Sequence, residues 1–328
     1  MNDRIGQVHW IDHYVVPVSD VPRWVEFSTN IFGSDEWIHG SPPFGKFRKL
    51  AGCHHGGFVQ KRPLPPGSEL GKAPTRYGHY IQPGDIDEHL RRLDQHGIHR
   101  SEVVDSAPEG RAGKSIYFED PDGNQYEFFA PEKMPDGAMA AAGPLKIGRI
   151  SHVTFDARDL DTNAEFFSRF CGVDPIKTMD VPDDTLVIDL AGGARIIYKH
   201  ASELKNLRSG AVGWVGPHTA LVLREPQFMP AYRQMWAALD EWAYDFKESL
   251  TDDPLTLGPR TGMHGSEAGQ KWKQLYQRGD AFFDNDTNEF HFVGGIGLEG
   301  DSLTTYRGRY MEDYVADLAA GRISPDEG

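Results

Sequence analysis

Ile11-Asp12-His13-Tyr14-Val15-Val16-Pro17-Val18-Ser19-Asp20 decides how this chain is read, because it returns 139 residues later as Ile150-Ser151-His152-Val153-Thr154-Phe155-Asp156-Ala157-Arg158-Asp159. Each copy is a strand-like apolar run carrying one histidine. A second histidine, His79 in the first half and His218 in the second, follows 66 residues after the first in each copy. Similarity at a fixed offset marks a structural unit used more than once.

The pattern around these runs predicts the unit. In the first half a strand is expected over 8–18, a helix over 21–32, and short strands over 44–50 and 56–60, punctuated by glycine and proline. The order then repeats with a strand at 78–82, a helix at 86–97 through Leu90 and Leu93, and strands at 115–118 and 125–129. Residues 131–143, rich in Pro, Gly and Ala, read as a linker, after which 147–155 and 160–171 restart the cycle. The expected fold is therefore α+β: four βαβββ units forming two curled-sheet modules, 1–135 and 145–298, with a tail over 299–328 holding a helix near 309–320. Asp120-Pro121-Asp122-Gly123-Asn124 recurs as Asp284-Asn285-Asp286-Thr287-Asn288 at an offset of 164, which places an insertion within 236–282. A long connection of that kind suits a lid or a partner surface.

Composition narrows the partners. Of 328 residues, 34 are Lys or Arg and 49 are Asp or Glu, a net charge of -15, which argues against a general nucleic-acid or anionic-membrane surface and for a small-molecule ligand. Cys53 and Cys171 are the two cysteines, too few for a disulfide framework or a zinc cluster, and they fit a reducing interior. Residues 1–10 have no signal-peptide core and no apolar run reaches membrane-spanning length, so a cytoplasmic protein is expected.

Alternate residues of a strand share a face, so ligands that open or close strands can converge inside a curled sheet. His13, His79 and Glu127, the last within Gln125-Tyr126-Glu127-Phe128-Phe129, are the metal-ligand candidates of the first half. Two imidazoles and one carboxylate leave coordination positions open, the arrangement of oxygen-activating non-haem Fe(II) sites, and Mn(II) or Zn suits the same donors. The second half offers His152, His218, His291, Glu289 and His200 as a second metal site, or a relic of one. Val293-Gly294-Gly295-Ile296-Gly297 lacks a phosphate-loop ending, and no Gly-x-Ser-x-Gly elbow occurs.

The repeats, the strand-opening histidines and the Asp120-to-Glu127 closing motif resemble the vicinal-oxygen-chelate superfamily with its glyoxalase-like fold, and in particular its two-module type I extradiol ring-cleavage dioxygenases, over about residues 5 to 295. That resemblance implies an oxidoreductase that opens a catechol-type aromatic diol with O2 at Fe(II), assembled as a homo-oligomer. Cys53-His54-His55-Gly56-Gly57-Phe58 resembles the family's His-His strand, which suggests His55 as an acid/base, and Tyr117 stands where the family places a substrate-binding tyrosine. Familiar two-module members keep their centre in the second module, whereas the complete set here falls in the first. Two alternatives share the scaffold: a glyoxalase-like metal isomerase, lyase or hydrolase with Gln60 as a further donor, and a metal-free protein that binds aromatic ligands.

Overall fold

The computed structural model of the chain describes residues 8–36, 45–50, 53–59, 68–106, 110–139, 142–170, 173, 175, 181–203, 218–224, 279–283, 289–295, 305–306 and 309–310. Two seven-stranded sheets dominate it. The first sheet takes β1 (Val8–Val18), β2 (Asp35–Glu36), β3 (Gly45–Leu50) and β4 (Cys53–Val59) from the first half, and β12 (His218–Arg224), β13 (Gly279–Phe283) and β14 (Glu289–Gly295) from the second. Its order is β13-β14-β12-β1-β4-β3-β2. The second sheet joins β5 (Arg76–Ile81), β6 (Val104–Asp105), β7 (Gly113–Glu119) and β8 (Gln125–Pro131) to β9 (Ile147–Ala157), β10 (Thr185–Asp189) and β11 (Arg195–His200). Its order is β10-β11-β9-β5-β8-β7-β6.

The fold is thus of the expected α+β class: two βαβββ units are complete among the described residues, the third shows β9, α3, β10 and β11 and the fourth β12, β13 and β14, and each sheet draws strands from both halves of the repeat. The seams are antiparallel: β1 pairs with β12 and β5 pairs with β9. Inside each unit the first strand runs parallel to the last, β1 beside β4 and β5 beside β8. These parallel pairs need a crossover, and helices α1 (Val21–Phe27), α2 (Ile86–Gln95) and α3 (Leu160–Phe170) lie in the connections.

Helix α1 begins because the Asp20 carboxylate accepts the Arg23 backbone N–H at 3.0 Å and Pro22 occupies the first turn, where no amide is needed. The helix expected over 21–32 changes hydrogen bonding at Ser28. Ser28–Phe32 form a π-helical turn, closed by Gly33 in the left-handed region at φ 65°. That turn brings Ser28, Ile31 and Phe32 inward together.

One buried aromatic cluster joins the sheets: Trp10, Tyr14, Trp24, Phe27 and Phe32 pack with Tyr77, Phe118, Tyr126 and Phe128. Each such ring removed from water contributes roughly 1.5–3 kcal/mol. Within the expected linker Ala138 is buried against Tyr80 and Phe129 beside Met134 and Met139, so its described residues 131–139 pack on the second sheet. Residues 236–278 of the expected insertion lie outside the described residues. In the tail Thr305–Tyr306 pair with Arg309–Tyr310 as two short strands, so the helix expected from 309 does not start there, and the remainder of that helix lies outside the described residues.

Candidate functional site

Register decides which of the candidate residues meet. In the first sheet His13 pairs with His54 on β4 and with Ala220 on β12, and Ala220 pairs with His291 on β14. Val15 pairs with His218, and Glu289 opens β14 one position before the Thr219–Phe290 pair. With a strand period of two, positions 13, 54, 218, 289 and 291 share one face of this sheet. The side chains of His54, His218, Glu289 and His291 lie outside the described residues, so this placement is that of the backbone. Among the described residues, no three His, Cys, Asp or Glu side chains form a metal-holding cluster.

His13 is held from behind. Pairing slips between Ile11 and His13, so Asp12 occupies a β-bulge, and its carboxylate reaches the Nδ1 of His13 at 2.7 Å. A proton on Nδ1 given to Asp12 leaves Nε2 as the lone-pair nitrogen, the form an imidazole ligand takes. The His13 side chain is 12% exposed and so stands at the edge of solvent.

The second sheet repeats this backbone with different chemistry. His152, the copy of His13, pairs with Arg195 on β11 and Gly78 on β5, and Gly78 pairs with Glu127 on β8. Arg76 pairs with Thr154, where the first sheet has His218 opposite Val15. A bulge recurs at Ser151, whose hydroxyl lies 3.0 Å from the Nδ1 of His152. Gly78 is required there, because a Cβ at that position would meet the His152 ring at 2.3 Å. The open space lets His152 place Nε2 3.0 Å from the Glu127 carboxylate. Glu127 is fully buried, also accepts from the Ser115 hydroxyl, and has the Arg76 Nε at 3.8 Å.

The structure therefore does not bring His13, His79 and Glu127 together. His13 lies in the first sheet and Glu127 in the second. His79 is one residue beyond Gly78, so it faces away from Glu127, and it lies three residues from Arg76, the position matching His218. An odd displacement along a strand reverses the face. The equal 66-residue spacing of His79 and His218 thus joins positions that are not equivalent.

His79 and His55 instead face the aromatic core. The Tyr14 hydroxyl lies 2.9 Å from His79 Nε2 and 3.1 Å from His55 Nδ1, and both histidines are fully buried. His55 Nε2 is 2.6 Å from the Ser28 hydroxyl, which bonds to Ser34, and Arg48 donates to Ser34. One proton arrangement satisfies the chain: Arg48 to Ser34 to Ser28 to His55 Nε2, then His55 Nδ1 to Tyr14 and Tyr14 to His79 Nε2, with His79 Nδ1 facing the Gly148 carbonyl at 3.5 Å. Burial pushes His79 down to about 3, opposed by that carbonyl and aided by His152. Burial, followed by His79 and Arg48, also lowers His55. Both are neutral core histidines, which removes His55 from the acid/base place expected for it.

Tyr117 pairs with Glu127 on the second sheet and has the Arg76 guanidinium 5.2 Å from its ring, so it stands apart from the His13 row. His200 ends β11 at the surface. Gln60 lies outside the described residues. The closing motif serves structure: the Asp120 carboxylate accepts the Asp122 and Asn124 amides at 2.9 Å, and Asn124 donates to the Pro17 carbonyl at 2.8 Å, clasping the end of β1. Burial lifts Asp120 to about 7 despite those bonds.

Residues 10–128 match the family described as the Glyoxalase/Bleomycin resistance protein/Dioxygenase superfamily. Over those residues the chain is similar to that superfamily, and the whole has the glyoxalase-like fold. A provisionally named dioxygenase from Bacillus subtilis subsp. subtilis str. 168 shares 13% identity with a TM-score of 0.56, covering 97% of this chain and 98% of that one. Glyoxalase I from Zea mays shares 14% identity with a TM-score of 0.52, covering 87% and 92%. A fosfomycin resistance protein from Listeria monocytogenes, solved with Mn(II), shares 26% identity over 37% of this chain and 88% of that one, with a TM-score of 0.31. No curated protein matches the sequence. Among the described residues no helix is long and apolar enough to cross a membrane.

Proposed function

We propose that this chain is a metal-dependent oxygenase that opens a catechol-type aromatic ring with O2, and that its centre lies on the first sheet and uses both halves of the chain. The observation that carries the reading is the four-strand register that lines up His54, His13, Ala220 and His291, with His218 and Glu289 beside that row. Its donor set fits a divalent transition metal: His13, His218 and Glu289 supply two imidazoles and a carboxylate, the set that leaves positions open for exogenous ligands. Fe(II) is the ion we assign, with Mn(II) as the substitute. Bound there, the ion supplies a Lewis acid for the diol and a place for O2.

The residues of the chain do the rest. Asp12 holds the Nδ1 proton of His13 and fixes its ring. Ala220, between His13 and His291, leaves room on the face where a larger side chain would stand. To His54, whose backbone pairs with that of His13, we assign the proton exchange with the diol, the part that the buried His55 cannot take.

His54 also supports a second reading. If it is a fourth protein donor, the set is that of a glyoxalase-like metal isomerase or lyase without O2. Oxygen uptake by anaerobically prepared, Fe(II)-loaded protein, measured with catechols and coupled to a yellow ring-opened product, separates the two. We expect uptake equal to product formed; turnover that proceeds unchanged under strict anaerobiosis overturns the oxygenase.

A further inference from the structure

We propose that the matching face of the second sheet is a metal site rebuilt around an internal cation. The Arg76 guanidinium takes the part of the divalent ion, and His152 is turned from a ligand into a hydrogen-bond donor. By register Arg76 occupies the place of His218, Glu127 that of His291 and His152 that of His13. With His13 and His218 taken as donors, the assignment rests on the centre proposed above.

The residues on this face do not fit a metal. Arg76 is 1% exposed and sets its Nε 3.8 Å from the Glu127 carboxylate, so the buried negative charge already faces a fixed positive one. A divalent ion entering there would displace that pairing and meet the guanidinium at close range, away from water. Space is as restrictive as charge. The cleft over Glu127 has room for about one water, too little for an ion together with the exogenous ligands of an open site.

The residue before each histidine selects the role of its ring. The Asp12 carboxylate can only accept, so it takes the Nδ1 proton of His13 and leaves Nε2 as the lone-pair nitrogen. Ser151 stands in the equivalent bulge, and its hydroxyl can donate to the Nδ1 of His152 at 3.0 Å. The ring proton then lies on Nε2, which gives it to the Glu127 carboxylate at 3.0 Å. The nitrogen that would bind a metal is thereby spent.

The chain also covers this face. Gln125, on the strand of Glu127, accepts the Gly71 and Ala73 amides at 2.9 and 3.3 Å and donates to the Ser68 and Glu69 carbonyls at 2.8 and 3.1 Å. Arg76 donates to the Gly71 carbonyl at 2.9 Å. Gly71, at φ 76°, lies so near Tyr117 that a Cβ there would meet the ring at 2.8 Å. Residues 68–73 are thus strapped across the Arg76 end of the face, and the cation that balances Glu127 also ties down the cover.

The test reads the nitrogen resonances of the His152 ring in the full chain and counts bound Zn(II) by equilibrium dialysis, for the unaltered protein, Arg76→His and Arg76→His/Ser151→Asp. We expect the unaltered chain to hold the His152 proton on Nε2 and to keep it there when Zn(II) is added. Arg76→His/Ser151→Asp should bind one Zn(II) more per chain than the unaltered protein, through His152 Nε2. It should bind that ion about tenfold or more tightly than Arg76→His alone, the usual size of an effect at the residue behind a ligand. A bare Nε2 on His152, Zn(II) ligation by His152 of the unaltered chain, a folded double variant with no further ion, or equal affinity in the two variants would each overturn the proposal. The first two readings need no substitution, so a variant that fails to fold leaves them standing. A first sheet that binds no Zn(II) would count against the centre proposed above and change none of these outcomes.

Discussion

The two sheets carry the same backbone row and fill it with opposite chemistry. The backbone puts His54, His218, Glu289 and His291 at positions on the face of His13, and Arg195, Arg76 and Glu127 at positions on the face of His152. Each histidine is preceded by a bulge that turns the residue before it onto its Nδ1, a carboxylate in Asp12 and a hydroxyl in Ser151. A duplicated scaffold keeps its bulges and its small residues, because these set the path of the chain. The side chains on the open face carry no such duty and are free to diverge.

The largest effect that can break this comparison is expected from His218→Ala. Metal content measured after anaerobic purification should fall to background together with turnover, while His79→Ala should leave metal content unchanged. The reverse result would return the centre to His79 and refute the register argument. Next in size is Glu127→Gln, which removes the charge between His152 and Arg76 and should cost about 3–5 kcal/mol in urea unfolding, as when one partner of a buried ion pair is lost. Metal content should not change, since the second sheet holds no metal in this reading.

Tyr14→Phe is expected to cost about 1–3 kcal/mol, because it leaves nitrogens of two buried histidines without a partner. A loss near zero would show that the core chain contributes nothing to stability. The smallest effect is one of pH. His79 is neutral in the fold with its value at about 3 against 6.5 unfolded, so its contribution is complete above pH 6.5 and is lost as pH falls toward 3. Asp120, raised from 3.8 to about 7, has the opposite sign: its contribution is complete below pH 3.8 and is lost as pH rises toward 7. The two slopes offset one another where they overlap. Asp120→Asn should therefore lose stability more steeply than the unaltered chain between pH 6.5 and 3.8, and equal slopes would remove Asp120 from the balance.

Strand positions were well marked in the sequence. Alternation and β-branched residues predict a strand over 8–18, where β1 lies, and predict β8 and β9 to within about two residues at each end. Which strands would pair was not marked. Nothing in Arg76-Tyr77-Gly78-His79 shows that its antiparallel partner would be β9, or that Gly78 would face the histidine ring. The face of His79 is not legible from its spacing for the same reason: spacing counts residues, whereas a face depends on whether the displacement is odd or even. Arg76 and Arg195 do not stand out in the sequence, because arginines opening a strand usually reach solvent. A signal was present, though, since each precedes a run of apolar and aromatic residues and stands where the other half has a histidine.

The pairing of β1 with β12 and of β5 with β9 has a consequence for cutting the chain. Severed between the halves, for instance near Gly143, neither fragment would own a complete sheet, and each would expose the bare edge of its opening strand. Such fragments should be poorly soluble alone and should restore one another on mixing, like partners of an exchanged dimer written into a single polypeptide.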